Sequence, residues 1–201
     1  GQSELTNGVI EDQLKNVHFS CRLIKLAKEL GVKKYVDTGS LEELKLKRYV
    51  DGKYWIDEKN EIKPNWYALS KVSSWMQSSF QAYCSKIDFC HVRISVVIDI
   101  NLKTNKFVEN SLKDLLIKPR KIITNNNELC NISSSNEIGR QLIAVGKKGI
   151  NNRIYTLGTS HYASLGDYFY KFLKMAHPTS NITKDNFKLK NLQLLKKKDF
   201  I

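Results

Sequence analysis

Apolar positions recur along this chain with two different periods, and the alternation between them outlines the architecture. Between residues 10 and 30, Leu14, Val17, Cys21, Ile24 and Ala27 fall at three- and four-residue spacing, which predicts one face of an amphipathic helix. Gly31 supplies its stop. A short strand follows at Lys34-Tyr35-Val36 and runs into Asp37-Thr38-Gly39-Ser40. Residues 41–65 carry charges, Gly52 and Pro64, and read as an irregular surface excursion. A second helix is expected from Trp66 to Lys86, then a buried strand rich in valine and isoleucine from Asp88 to Ile98. Helix, strand, loop, helix, strand is the rhythm of a parallel sheet covered by helices.

After Ile98 the rhythm changes. Helical patterns lie near 107–117, 135–146 and 164–176, with short strands near 120–124 and 153–157, the second closed by Gly158. The pattern therefore predicts two parts, residues 1–98 carrying the sheet and residues 99–201 forming a smaller mixed α/β region with a Lys-rich tail at Lys196-Lys197-Lys198.

Composition changes this picture little. Apolar residues at 41% and charged residues at 26% are ordinary for a soluble globular chain of 201 residues. No stretch reaches about 18 uninterrupted apolar residues, so no membrane span is expected. The polar start Gly1-Gln2-Ser3-Glu4 has no signal-peptide character. The net charge of +13 suggests nucleic acid, but the lysines are spread along the chain and do not alternate with aromatic residues as a base-stacking platform would. Attraction of a small anionic substrate is the more economical use of that charge. Cys21, Cys84, Cys90 and Cys130 lie far apart, as do His18, His91, His161 and His177, so no metal site is expected. Three of the cysteines sit among apolar neighbours and read as buried free thiols of a reduced, cytoplasmic protein.

The chemistry concentrates at Ser40, Tyr67 and Lys71. Tyr67-Ala68-Leu69-Ser70-Lys71 puts a tyrosine and a lysine four residues apart, on one face of the second helix. An ammonium beside a phenol favours the phenolate and would lower its pKa from about 10 toward working pH. Such a phenol can give or take a proton at a substrate hydroxyl or carbonyl. Ser40, at the end of the preceding strand, is placed to hold the same oxygen, and strand ends of parallel sheets are where ligands bind. Taken alone the Tyr-x-x-x-Lys spacing also suits an ordinary helix-surface pair.

The surroundings of these residues resemble the extended short-chain dehydrogenase/reductases, the family of NAD-dependent epimerases and dehydratases. Asn16-Val17, Leu23-Ile24 and Ala27, then Gly31-Val32-Lys33-Lys34-Tyr35-Val36, are similar to a late helix and strand of that family's dinucleotide-binding domain. Gly39-Ser40, Asp57-Glu58, Pro64 and Tyr67-x-x-Ser70-Lys71 continue its order, and Val92-Arg93-Ile94-Ser95 is similar to its next strand. Tyr155-Thr156-Leu157-Gly158 with Ser164-Leu165-Gly166-Asp167-Tyr168 looks like a late strand and the helix after it. The resemblance implies an α/β fold, the C-terminal part of a Rossmann-like parallel sheet followed by a smaller mixed α/β substrate-binding region. It implies NAD or NADP as cofactor and a nucleoside-diphosphate sugar as substrate, in the service of surface-polysaccharide synthesis. Tyr67 would be the acid/base and Lys71 would also hold the nicotinamide ribose. Ser40 would position the reacting oxygen, and Arg93 and Ser95 would lie at the cofactor. Asn16 matches an asparagine that supports the lysine through water, with a solvated helix residue as the plainer reading. A homodimer is implied, built on the helices beginning near residues 10 and 66.

Three departures qualify those implications. The ten glycines include no Gly-x-Gly-x-x-Gly, the loop whose backbone approaches a pyrophosphate, so this chain alone is expected to bind NAD(P) poorly. Val96-Val97-Ile98-Asp99 stands where many relatives carry Asn and then Tyr-Gly-Pro. Ser40 is followed by Leu41 before Glu42 and Glu43, whereas dehydratases often carry an acidic pair directly there. An epimerase or reductase is thus favoured over a dehydratase, with Glu42 as one acid or, with Glu43, part of a solvated loop. Arg140 and Lys106 are candidates for the substrate diphosphate, although such residues are more often simple surface charges. A non-catalytic Rossmann-like binding module is the alternative function, and an RNA-associated basic protein a third.

Overall fold

The computed structural model describes residues 10–46, 66–99, 101–102, 107–119 and 129–184. The expected strand near 120–124, Lys106, Asp57-Glu58, Pro64 and the Lys196–Lys198 run lie outside them. The chain divides into two compact units, one holding the residues up to Ser95 together with Asn136–Leu157, the other Val96–Ser135 with Gly158 onward.

The first unit opens with α1 (Ile10–Glu29), which leads into β1 (Lys34–Ser40) and a 3-10 turn at Leu41–Leu46. Then come α2 (Trp66–Ser85) and β2 (Asp88–Ile94). Gly31 ends α1 as expected. Its φ of +72° is the left-handed conformation that needs no Cβ, and it brings Gly31 N–H to Lys28 O and Val32 N–H to Ala27 O. Lys86 (φ +55°) closes α2 by the same geometry without being glycine. The buried face of α1 is Gln13, Val17, Ile24 and Ala27. Leu14, expected inside, is 57% exposed, because Gln13 takes the inward position one residue earlier. Against it α2 buries Ala68, Ser70, Val72, Ser74, Ser78 and Ala82, small side chains that let the two helices approach closely. Ile24, Ala27, Ala82, Ile87 and Phe89 form the core between these helices and the sheet.

Residues 136–157 return to this unit, which corrects the expected division at residue 98. The helix α4 (Ser135–Lys148) leads into β6 (Arg153–Leu157), and β6 pairs parallel with β2 to give the sheet order β1-β2-β6. Ser40 lies opposite Ile94 in the β1–β2 register. The expected strand from Asp88 to Ile98 is two strands. Ser95 N–H donates to Leu157 O, whereas Val96 N–H donates to Asn131 O, so consecutive amides join different sheets.

The second unit holds β3 (Val96–Ile98) paired parallel with β5 (Ile132–Ser134), and β4 (Leu129–Cys130) antiparallel to β7 (Ala163–Ser164). Its core is Leu112 and Leu115 of α3 (Phe107–Ile117) against Phe169 and Leu173 of α5 (Leu165–Ala176). Ser164 caps α5 by accepting from Asp167 N–H at 3.1 Å. No helix among the described residues is long and apolar enough to cross a membrane. The four cysteines are free thiols, but only Cys90 is buried and Cys84 is exposed, fewer inside than expected.

Candidate active site

Three elements of the first unit converge at the C-terminal end of β1. The strand carries Ser40 to its tip, and the 3-10 turn follows directly. Glu42 N–H donates to Ser40 Oγ at 3.2 Å, fixing the hydroxyl at the turn. Tyr67 and Lys71 come from the first turns of α2. The Ser40 side chain lies beside the Tyr67 phenol, near enough to favour its ionised form. Lys71 Nζ lies 5.9 Å from the centre of the Tyr67 ring and donates to Thr38 O at 3.0 Å. The structure thus brings Ser40, Tyr67 and Lys71 together, as their order in the sequence anticipates. An ammonium has three donors, and the one toward Thr38 leaves capacity at this strand end for the hydroxyls of a ribose.

The electrostatics of Tyr67 differ from the expectation. Burial pushes its phenol above the ordinary tyrosine value, the Ser40 side chain works the other way, and the charges of Glu42 and Glu43 push it further up. The phenol is therefore held protonated, a proton donor in this state, because desolvation and two carboxylates outweigh the Ser40 contact.

Glu43 is not a solvated loop residue. Its side chain is fully buried, its Oε1 accepts from Ser40 N–H at 2.8 Å, and its Oε2 accepts from Arg93 Nε at 2.9 Å. His91 of β2 stands between Glu43 (Nε2 to Oε2, 3.0 Å) and Asp37 of β1 (Nδ1 to Oδ2, 2.8 Å). Trp75 stacks on the His91 ring at 5.5 Å, and the Arg93 guanidinium lies 5.7 Å from the Trp75 ring. Arg93, expected at a cofactor, is thus engaged by Glu43 and Trp75. Sequence reading missed His91 and Asp37. The available signal was a histidine inside an apolar strand, in register with an aspartate on its neighbour.

The remaining candidates are more dispersed. Ser95 is half-buried where the chain leaves the first sheet. Arg140 is exposed and pairs with Glu137 one turn away at 3.0 Å. Asn16 is exposed, with Nδ2 3.4 Å from Gln13 Oε1, and Gln13 Oε1 lies 2.9 Å from Ser70 Oγ. That buried Gln13–Ser70 contact ties α1 to the turn of α2 that bears Tyr67 and Lys71, another link that sequence reading missed. No group of His, Cys, Asp and Glu among the described residues is arranged to hold a metal ion.

The chain has the fold of the Rossmann-type NAD-dependent epimerases and dehydratases. UDP-N-acetylglucosamine 4-epimerase from Bacillus cereus is similar over 95% of this chain, with a TM-score of 0.73 at 12% identity. UDP-glucose 4-epimerase from Thermotoga maritima, solved with UDP-glucose, is similar over 88% (TM-score 0.62, 13% identity). The dTDP-glucose 4,6-dehydratase from Bacillus anthracis, solved with NAD, is similar over 92% (TM-score 0.66, 16% identity). This chain spans 64%, 60% and 58% of those three proteins, respectively. No family model and no curated protein matches the sequence.

Proposed function

We propose that this chain carries the acid/base centre of an NAD(P)-dependent enzyme acting on a nucleoside-diphosphate sugar, an epimerase or reductase in preference to a dehydratase. The observation that carries the reading is the meeting of Ser40 and the Tyr67 phenol at the end of β1, with Lys71 beside the ring. Tyr67 passes a proton to or from a sugar oxygen, Ser40 holds that oxygen, and Glu42 borders the same position. Nicotinamide would supply hydride exchange when bound. The fit to it is partial: Lys71 and Tyr67 suit the ribose end, while the sequence holds no glycine-rich motif for the pyrophosphate. Arg140 has no part in the proposal, since its guanidinium pairs within its own helix. A reducing compartment suits the four free thiols.

A homodimer accompanies this reading. Leu23, Leu26 and Leu30 of the first helical segment and Leu69, Met76, Phe80 and Tyr83 of α2 are exposed, an apolar surface suited to a second copy of these helices.

One observation favours a second reading, a non-catalytic binding module of the same fold: Tyr67 is held above its ordinary pKa rather than below it. Calorimetry and product NMR with NAD(P)+ and a panel of UDP- and dTDP-hexoses separate the two. Turnover that falls by roughly 10²–10⁴-fold in Tyr67→Phe supports the enzyme. Hexose-nucleotide binding without turnover, unchanged in Tyr67→Phe, supports the module. Absence of both binding and turnover refutes both.

A further inference from the structure

Four charged side chains meet beneath the end of β1, and none belongs to the Ser40, Tyr67 and Lys71 set. A neutral imidazole has one N–H donor and one acceptor nitrogen. Both ring nitrogens of His91 face carboxylate oxygens, at 2.8 Å and 3.0 Å, and an ionised carboxylate only accepts. Both nitrogens therefore donate, and the ring is an imidazolium. With Arg93 the cluster holds two cations and two anions, which balances its buried charge. Burial opposes the charged ring, but the hydrogen bonds to Asp37 and Glu43 outweigh it and raise the His91 pKa.

Stability alone accounts poorly for such a cluster. A buried ion pair gains little over well-packed apolar side chains of the same volume, and the neighbouring strand residues Phe89 and Val92 show the apolar solution in use. What the cluster does that apolar packing would not is reach Ser40. Glu43 Oε1 accepts the Ser40 N–H, and Gly39 leaves the space that the Glu43 carboxylate and the His91 ring occupy.

We propose that Asp37, His91, Glu43 and Arg93 form a buried clamp that positions Ser40 against Tyr67. These are positioning residues, acting on the reaction only through the Ser40 backbone. The proposal rests on the reading of Ser40 and Tyr67 as one site.

NMR of the full chain tests it. The wild-type His91 ring should show two N–H protons at pH 7 and keep them above the ordinary histidine value of about 6.5. A ring with a single proton at pH 7 overturns the clamp. Glu43→Leu should speed exchange of the Ser40 amide roughly tenfold relative to the Val36 amide, through loss of its charged acceptor. Glu43→Gln should preserve Ser40 protection, because Gln Oε1 still accepts, while loss of the carboxylate charge beside His91 lowers the pH at which that ring titrates. Should Glu43→Leu fail to fold, Glu43→Gln decides: a His91 ring that titrates as in wild type overturns the clamp. Tyr67 ionisation, followed by labelled tyrosine ring carbon, separates this proposal from the reading beneath it. If Ser40→Ala moves the Tyr67 titration but Glu43→Leu leaves Ser40 exchange unchanged, the clamp alone fails. If Ser40→Ala leaves Tyr67 unmoved, the Ser40–Tyr67 site fails, and the clamp's purpose with it.

Discussion

Substituting Gly39 by alanine should damage the protein far more than one added methyl group suggests. A Cβ built at Gly39 lies 2.5 Å from both Cε1 and Nε2 of His91 and closer still to Glu43 Oε1. Neither neighbour is a free side-chain end. His91 is held by Asp37 and Glu43, and Glu43 by Arg93 and the Ser40 amide. Overpacking a filled interior costs about 1–3 kcal/mol. Displacing Glu43 adds a hydrogen bond to a charged group, about 1.5–3 kcal/mol. The entropy that alanine removes from the unfolded chain returns only about 0.4–1 kcal/mol. The midpoints of these ranges give a net loss of about 3.5 kcal/mol. With a urea m-value of roughly 2 kcal/mol/M this lowers the midpoint by about 1.5–2 M. Urea titration followed by tryptophan fluorescence reads it, and Trp75, stacked on His91, reports from the perturbed site. Gly139→Ala is the internal control: its Cβ would meet nothing within 4 Å in the interior of α4, so it should stabilise by about 0.5–1 kcal/mol. A Gly39→Ala midpoint equal to that of wild type would show that the space beneath β1 is not filled as described.

Two further outcomes concern the same unit. Hydrogen bonds from His91 and Arg93 overcome the cost of burial and hold the Glu43 carboxyl below the usual carboxylate range, while His91 is raised. The Glu43 contribution to stability is present above about pH 4.3 and lost as pH falls through its lowered folded value. That of His91 is complete below about pH 6.5 and lost as pH rises through its raised folded value. Denaturation midpoints across pH should therefore be best supported by this cluster between those two values, and in Glu43→Gln the acid-side loss should shrink; an unchanged acid limb would contradict the pairing. Separately, the Ser78 hydroxyl is fully buried in α2 and has no hydrogen-bond partner among the described residues. Ser78→Ala should raise stability by about 1 kcal/mol, seen as a higher thermal or urea midpoint, and a lower midpoint would reveal a partner for that oxygen.

Much of the framework was legible because it is local. The three- and four-residue spacing of Val17, Ile24 and Ala27 and the stop at Gly31 depend on neighbours along the chain, and the structure has them where expected. So too do the α2 helix and the strand from Lys34, which place Ser40, Tyr67 and Lys71 in the order that suggested one site. The inward choice between Gln13 and Leu14 was not legible, because it depends on which side chain of α1 meets Ser70 of α2.

The set of elements and the order of Ser40, Tyr67 and Lys71 along them could be read without the fold, since helix periodicity, turn residues and side-chain type are properties of short stretches. The environment of those residues came from folding. Glu43 reads as a loop acid until the 3-10 turn carries it under β1, and His91 reads as one residue of an apolar strand until Asp37 stands beside it. The sign of the Tyr67 shift followed the same rule. Its neighbouring lysine is visible four residues away, whereas the burial and the carboxylates that raise the phenol come from elements brought together only by folding. Charge interactions reach through space, and the sequence records distance along the chain.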